Sequence, residues 1–384
     1  MQICMKLYFD NAAAEPVSAE IFQKLQQYFT EVWANQEAAG YAGNVAAEQE
    51  KLAAVTLLNA VSGGKRTDHS VLWGHAGTEV IQAVFRLLPM QYKSGTVLYT
   101  AGDHAAVRAA IGEMGAAFTG IELPLTRSGS VDMAVLKSCI QEKKDDIIAV
   151  CVPFVISETG AVQNLIGVRR ILNDCGSKAL LFCDGIQGIG KIPFDWAGID
   201  PDFFTISGQK IGLPAGAALL YRRDFTRYAA RLRTELHQIT RVPVPFIRLL
   251  AERVEVLLNG LPERYEMMRG QRKRFCEILS EIVGEQKYLV TIPEKESSPH
   301  IIHLLLKNGV QGAIIVRALT AAGISISYGS ACDAETDRPS GVLLSMGYSR
   351  QESYGALRIS FSGEVKECDF LHFAEKLLKT IEEY

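Results

Sequence analysis

The sequence predicts an α/β fold with a mostly parallel sheet covered by helices, followed by a smaller α/β domain at the C-terminus. The first observation is that short apolar runs typical of strands recur from residue 70 onward, at 71–73, 96–99, 147–152, 179–183 and 217–221. Helical patterns such as 78–88 and 105–112 lie between some of these runs, which indicates crossover connections. The second observation is that the pattern changes to long helices near Pro243.

The remaining elements follow from local periodicity. After Pro16, apolar residues between 21 and 33 recur at the spacing of an amphipathic helix. A long helical region, 246–283, is interrupted around Gly260 and Pro262. A strand at 301–306, a helix at 311–322, a strand at 324–327 and a final amphipathic helix from Phe370 to about 381 complete the predicted second domain.

Composition excludes several classes of protein. The chain has 384 residues and a net charge of −3, so no basic surface for nucleic acid is expected. Its longest apolar stretch, 147–156, is shorter than the roughly 20 residues that cross a membrane. Residues 1–6 lack the pattern of a signal peptide, and none of the eight cysteines form a C-x-x-C pair. A cytoplasmic protein with reduced thiols and no metal site is expected.

Two strand ends carry side chains that suit one cofactor. The run 180–183 ends at Asp184, with Gln187 close behind, and the short strand 205–207 leads to Lys210. Pyridoxal phosphate needs a lysine to hold its aldehyde as a Schiff base and an acid to keep its ring nitrogen protonated. These residues alone leave a second interpretation open, in which Asp184 is a satisfied strand-end carboxylate and Lys210 a solvated surface lysine.

Two further strand ends lead to polar residues at the same predicted edge. Gly77 and Thr78 open the helix 78–88, where free N–H groups and the helix dipole suit a phosphate. The alternative is that Thr78 only caps the helix. His104 follows the strand 96–99, and its planar ring is suited to stacking on a pyridine. Ligands of open α/β sheets bind at this edge.

In order along nearly the whole chain, the motifs resemble those of the cysteine desulfurases, in the class V branch of the fold-type I pyridoxal-phosphate enzymes. Three motifs of the N-terminal part carry the resemblance: Tyr8-Phe9-Asp10-Asn11-Ala12-Ala13, Gly77-Thr78-Glu79, and Glu158-Thr159-Gly160 with Gln163. The most specific motif is Ser327-Tyr328-Gly329-Ser330-Ala331-Cys332, followed by Pro339-Ser340 and Leu357-Arg358-Ile359-Ser360.

The resemblance implies roles for individual residues. Lys210 is expected to form the Schiff base, Asp184 to contact the ring nitrogen, Gln187 to contact the phenolic oxygen, and His104 to stack on the ring and assist proton transfer. The other expected cofactor contacts are Gly77, Thr78, Ser207, Gln209 and Thr240. Because Thr240 matches a residue that reaches the phosphate of a partner subunit, a homodimer is implied.

The resemblance also assigns the substrate side of the site. Cys332 is expected to accept the sulfur on a mobile loop, Arg358 to hold the substrate carboxylate, and Asn35 and Ser157 to lie near the substrate. The fold implied is a large cofactor-binding domain with a seven-stranded sheet at 14–255. A small domain, 1–13 and 256–384, would carry the cysteine loop.

Several positions depart from the family pattern. Gln209 stands where the family usually has histidine, and Ser157 stands where it tends to have asparagine. The turn 237–239 replaces a more glycine-rich segment that contains arginine. Exact substrate and rate are the properties that these changes would affect.

The sequence therefore predicts a pyridoxal-phosphate-dependent cysteine desulfurase that converts L-cysteine to L-alanine and leaves a persulfide on Cys332. A sulfur-acceptor protein is a possible further partner. Alternatives are another class V enzyme (selenocysteine lyase, cysteine sulfinate desulfinase or small-amino-acid aminotransferase) and a degenerate paralogue with low activity. A nicotinamide-dependent dehydrogenase is disfavoured, because no G-x-G-x-x-G follows the first strand.

Overall fold

The computed structural model describes residues 7–237, 241–329 and 339–384. The strands in these ranges are β1 (Leu7–Tyr8), β2 (His69–Gly74), β3 (Gly95–Thr100), β4 (Phe118–Leu123), β5 (Ile147–Pro153), β6 (Leu180–Asp184), β7 (Phe203–Ser207), β8 (Ala217–Arg222), β9 (Tyr288–Val290), β10 (Ile301–Leu306), β11 (Ile324–Ser325) and β12 (Ala356–Ser360).

The α-helices in the same ranges are α1 (Ala19–Glu31), α2 (Tyr41–Ser62), α3 (Gly77–Gln91), α4 (Ala105–Glu113), α5 (Met133–Glu142), α6 (Leu165–Asp174), α7 (Trp196–Ile199), α8 (Thr226–His237), α9 (Val244–Asn259), α10 (Leu261–Ile282), α11 (Gly312–Ala321), α12 (Gly341–Ser345), α13 (Arg350–Ser353) and α14 (Glu367–Glu382). None of these helices has both the length and the apolar character that crossing a membrane requires.

A seven-stranded sheet with the order β2-β8-β7-β6-β5-β3-β4 forms the centre of the larger part of the chain. Strand β8 pairs antiparallel with both β2 and β7, whereas the pairings among β3 to β7 are parallel. Six strands therefore run in one direction, and their carboxyl ends lie at one edge. The predicted mostly parallel sheet is confirmed.

Helices cover both faces of this sheet because its central strands are apolar on both sides. All seven residues of β5 are buried, as expected for a strand between two helical layers. One apolar core contains residues of α1, α2, α5, α6 and α9. A second core contains residues of α3, α4 and α8. Packing on both faces therefore holds the sheet in place, together with the edge at which its strands end.

A smaller sheet, β12-β10-β9, is antiparallel and carries a separate aromatic core. Phe9 enters this core from the N-terminus and packs on Phe275, Phe370 and Phe373. The predicted helix interruption is confirmed, since α9 ends at Asn259 and α10 begins at Leu261. The domain division at 255/256 remains a prediction.

The turn between β3 and α4 positions His104, and Asp103 closes this turn. The Asp103 carboxylate accepts hydrogen bonds from the Thr100 N–H at 2.7 Å and from the Thr100 hydroxyl at 3.0 Å. Its other oxygen, Oδ1, is buried and has no partner among the described residues. Burial raises the pKa of Asp103 to about 7.

The substitution Asp103→Asn should remove one source of pH-dependent stability. The folded chain holds the Asp103 proton up to a pKa of about 7, but the unfolded chain releases it near 3.8. Between these values the unfolded state binds fewer protons, so wild-type stability falls as pH rises, by up to about 4 kcal/mol in all. The free energy of unfolding of Asp103→Asn, relative to wild type, should therefore rise between about pH 4 and pH 8.

Urea titrations at the two pH values measure this difference. The exposed Asp174→Asn is the control and should show no such change. If the difference between Asp103→Asn and wild type is the same at both pH values, the raised pKa of Asp103 is contradicted.

Candidate active site

One cavity lies at the edge where β2, β3, β5, β6 and β7 end. Most of the residues that the sequence analysis selected line it together. They are Gly77, Thr78, His104, Ser157, Asp184, Gln187, Ser207, Gln209, Lys210 and Arg358. Nine of them come from the ends of parallel strands or the loops behind them, and Arg358 comes from β12 of the smaller sheet. The cavity therefore joins chemical groups from both sheets.

Asp184 is the last residue of β6 and is buried at the cavity. Its Oδ1 accepts hydrogen bonds from the Thr205 hydroxyl at 2.8 Å and from the Ile186 N–H at 3.1 Å. Burial raises the pKa of Asp184, while these two donors and the charges of His104 and Lys210 act in the opposite direction. Asp184 is thus a hydrogen-bonded carboxylate at a strand end, and it also lines a cavity that can hold a ligand.

Lys210 and Gln187 both contact the segment that follows β1. The Lys210 amine donates to the carbonyl oxygen of Ala13, and Gln187 Nε2 donates to the carbonyl oxygen of Ala12 at 2.8 Å. Lys210 is half-buried and is one of the residues that line the cavity. The interpretation of Lys210 as a solvated surface lysine is therefore wrong.

The beginning of α3 forms one end of the cavity. The helix begins at Gly77, and its N-cap is Ala76, which has no side-chain capping bond. Thr78 is therefore not the cap, so the alternative role of Thr78 is wrong. A Cβ atom on Gly77 would lie 2.7 Å from Ile186 Cδ1, so glycine lets the helix end approach β6 closely. Gly77 and Thr78, the first two residues of this turn, both line the cavity.

His104 is the N-cap of α4 and lines the cavity. Its Nδ1 accepts a hydrogen bond from the Ala106 N–H at 3.1 Å. An accepting Nδ1 carries no proton, so the neutral ring holds its proton on Nε2. The helix cap thus fixes both the orientation of the imidazole and the nitrogen that can exchange a proton with a ligand.

Arg358 is buried and lines the same cavity from β12. Its Nη2 pairs with Asp10 Oδ1 at 2.8 Å, and its Nη1 donates to the Ser157 carbonyl oxygen at 3.1 Å. Only 2% of the Arg358 side chain is exposed, against 13% of the Asp10 side chain. The contact with Ser157 joins β12 to the loop after β5, and so connects the two sheets.

Three predicted site residues are not brought to this cavity by the described structure. Asn35 lies on an exposed turn after α1, where its side-chain oxygen accepts from the Glu37 N–H at 3.0 Å. Its role near the substrate stays a prediction. Thr240 and Cys332 lie outside the described residues.

Asp10 is the ion-pair partner of Arg358, and the sequence analysis predicted no role for it. It belongs to the Tyr8–Ala13 motif, but β1 is too short to show any periodicity before it. A carboxylate directly after an apolar pair, within a motif shared with the family, was the available signal. Its partner Arg358 lies 348 positions away along the chain, so spacing cannot reveal the pair.

Comparison with protein families gives a match over residues 7–234 to the family described as "Aminotransferase class-V". Similar curated proteins include a cysteine desulfurase NifS of Azotobacter vinelandii, which is 26% identical over 93% of this chain and 88% of that protein. A cysteine desulfurase IscS 1 of Archaeoglobus fulgidus is 26% identical over 92% of this chain and 91% of that protein. These relatives confirm the resemblance predicted from the sequence motifs.

Solved structures show the same fold. A NifS-like protein aligns with a TM-score of 0.81 at 21% identity, covering 99% of this chain and all of that one. A NifS-like protein from Rickettsia africae aligns with a TM-score of 0.80 at 18% identity, covering 98% of this chain and 99% of that one. With the family match spanning more than half of its length, the chain belongs to the class-V aminotransferases.

Proposed function

We propose that this protein is a pyridoxal-phosphate-dependent cysteine desulfurase, which converts L-cysteine to L-alanine and leaves a persulfide on Cys332. The observation that carries the proposal is the convergence of Lys210, Asp184, His104 and Arg358 on one cavity. The similarity to curated cysteine desulfurases over nearly the whole chain supports the choice of substrate.

The residues of the cavity fit the cofactor that class-V enzymes use. Gln187 Oε1 is buried without a partner among the described residues, and such atoms are usually satisfied by a ligand or water. Gly77 keeps the end of α3 open for a phosphate, with Ser207 and Gln209 beside it. Asp184 would hold the ring nitrogen and Lys210 the aldehyde carbon. When bound, pyridoxal phosphate supplies an electron sink for the bonds at the substrate α-carbon.

The proton transfers fall to two side chains of fixed position. Lys210 Nζ faces the cavity and can take a proton from the substrate α-carbon once the amine is free. His104 can exchange a proton at Nε2, because its Nδ1 is occupied by the Ala106 N–H. Beside a cationic ring nitrogen Asp184 would be held in its ionised form, since an opposite charge lowers the pKa of a carboxyl group.

The substrate would be held by Arg358 and attacked by Cys332. The planar guanidinium of Arg358 suits a carboxylate, which a lysine could not bind in the same two-point geometry. The thiolate of Cys332 would attack the substrate sulfur. The carbon–sulfur bond breaks, a sulfur–sulfur bond forms on Cys332, and the carbon that loses the sulfur gains a hydrogen to give alanine.

A homodimer is also proposed. Large apolar side chains are exposed on α1, on α2 and between them, among them Phe22, Trp33, Tyr41, Leu52 and Val55. Trp33 is 73% exposed and Tyr41 is 85% exposed, which is unusual for a surface that stays in water. A second copy of the chain is the proposed cover, in agreement with the role expected of Thr240.

Light scattering should give a solution mass of twice that of the chain. Trp33→Glu together with Leu52→Glu should shift the protein toward the monomer, because each places a charge in the proposed interface. Wild-type protein that is monomeric at micromolar concentration would contradict the dimer.

The substitution Lys210→Ala should abolish the covalent link to the cofactor. After borohydride reduction, wild-type protein is expected to carry the added cofactor mass on the peptide containing Lys210. Lys210→Ala is expected to lack both this mass and the visible absorbance of the linked cofactor. The exposed Lys178→Ala is the control and should resemble wild type. A cofactor mass on a different lysine of the wild type would overturn the assignment.

The substitution Cys332→Ala should separate desulfuration from the other class-V reactions. Alanine formation from cysteine with a reductant is expected to fall by at least about 100-fold, because the nucleophile is lost. Cofactor binding should persist, as should any transamination. The exposed Cys368→Ala is the matched control and should keep full activity.

Mass spectrometry of wild type after incubation with cysteine should find one added sulfur on Cys332. Normal alanine production by Cys332→Ala would refute the proposed sulfur transfer. Absence of alanine and sulfide from wild type would favour the low-activity paralogue.

A further inference from the structure

The pairing of Asp10 with Arg358 places a resident carboxylate where the proposed function requires a substrate carboxylate. Asp10 Oδ1 lies 2.8 Å from Arg358 Nη2. This ion pair is largely buried, since the Arg358 side chain is only 2% exposed. A buried guanidinium without a counter-ion is strongly unfavourable, so Arg358 requires an anionic partner whether or not substrate is present.

The backbone holds Asp10 in this position. The Asn11 N–H donates to the Ser360 carbonyl oxygen at 3.2 Å, and the Ser360 N–H donates to the Phe9 carbonyl oxygen at 2.8 Å. The Tyr8 hydroxyl donates to the Asp10 carbonyl oxygen at 3.1 Å. The ion pair therefore joins two neighbouring segments that are already fixed side by side, and little side-chain freedom remains to be lost.

Asp10 and Arg358 differ in the contacts that each would keep if their ion pair opened. The second oxygen of Asp10, Oδ2, accepts a hydrogen bond from the Ser327 hydroxyl at 2.7 Å, and 13% of the side chain reaches solvent. Asp10 would keep these contacts if another carboxylate approached Arg358. Arg358 Nε is buried without a partner among the described residues, so the guanidinium still has an N–H group to offer.

We propose that Asp10 is a specificity-determining residue, which neutralises Arg358 in the resting site and thereby excludes carboxylic acids that lack an amino group. The inference rests on the proposed function, because it takes Arg358 as the site of the substrate carboxylate. A simple acid meets a guanidinium that is already paired, so one carboxylate gains little by competing with another. An amino acid gains a second attachment, through its amine, at the cofactor held by Lys210.

Propionate is a suitable probe, since it has three carbons and a carboxylate but no amine or thiol. In the holoenzyme, Asp10→Asn should bind propionate at least about tenfold more tightly than wild type, because Arg358 then lacks its counter-ion. Propionate should also raise the melting temperature of Asp10→Asn and leave that of wild type nearly unchanged. The exposed Asp224→Asn is the matched control and should resemble wild type.

Kinetics give a second readout that a merely structural role would not produce. For Asp10→Asn, propionate should become a competitive inhibitor against cysteine, and the ratio of its inhibition constant to KM should fall by about tenfold or more. If Asp10→Asn binds propionate as weakly as wild type, or more weakly, then Asp10 only orients Arg358 and the proposal is overturned.

The double variant Asp10→Asn with Arg358→Gln covers the case in which Asp10→Asn alone does not fold. Replacing both charges should restore the folded holoenzyme and remove any effect of propionate on its melting temperature. Failure of the double variant to fold would show that the ion pair is needed for the structure itself, and would overturn the proposal. Propionate binding requires no turnover, so this test is independent of whether Cys332 accepts sulfur.

Discussion

The segment from Tyr8 to Glu15 is the constraint on which the site depends, because it contacts both halves of it. Asp10 pairs with Arg358 of the smaller sheet, while the carbonyl oxygens of Ala12 and Ala13 accept hydrogen bonds from Gln187 and Lys210 of the larger one. The Glu15 N–H also donates to the Gln209 carbonyl oxygen at 2.9 Å. A shift of this segment would therefore move Arg358, the proposed substrate contact, together with Gln187 and Lys210, the proposed cofactor contacts.

The large sheet contributes carboxyl groups that are buried away from water, where electrostatic interactions are stronger than at the surface. Asp184 and Asp103 are both buried, and burial raises the pKa of each. Their roles differ because their surroundings differ. Asp184 lines the cavity, where a cationic ring would favour its ionised form, whereas Asp103 closes the turn that fixes His104 and does not line the cavity. One edge of a parallel sheet thus supplies two buried carboxyl groups, of which only Asp184 would meet the charge of a bound cofactor.

Local sequence patterns were sufficient to predict individual strands and the polar residues at their ends. The strand at 147–152 appears as β5, and Asp184, His104 and Lys210 meet at one edge because parallel strands end together. The helix α2 gave no clear signal, since alanine and glycine form much of its buried face and contrast little with its polar face. The edge strand β4 is largely exposed and lacks a buried stripe.

The pairing of Asp10 with Arg358 depends on how two distant segments pack, and the periodicity of the sequence carries no information about that packing. Gln209 lines the cavity where the family usually has histidine, so a neutral amide stands in place of a side chain that can be charged.

In the proposed function the Lys210 amine and the Asp184 carboxylate act on the same pyridoxal ring. A crystal structure of the protein prepared with pyridoxal phosphate tests this most directly. We expect continuous electron density from Lys210 Nζ to the cofactor, the ring nitrogen within hydrogen-bonding distance of Asp184, and the phosphate at the first turn of α3. A cofactor bound elsewhere, or a ring nitrogen that faces away from Asp184, would contradict the account.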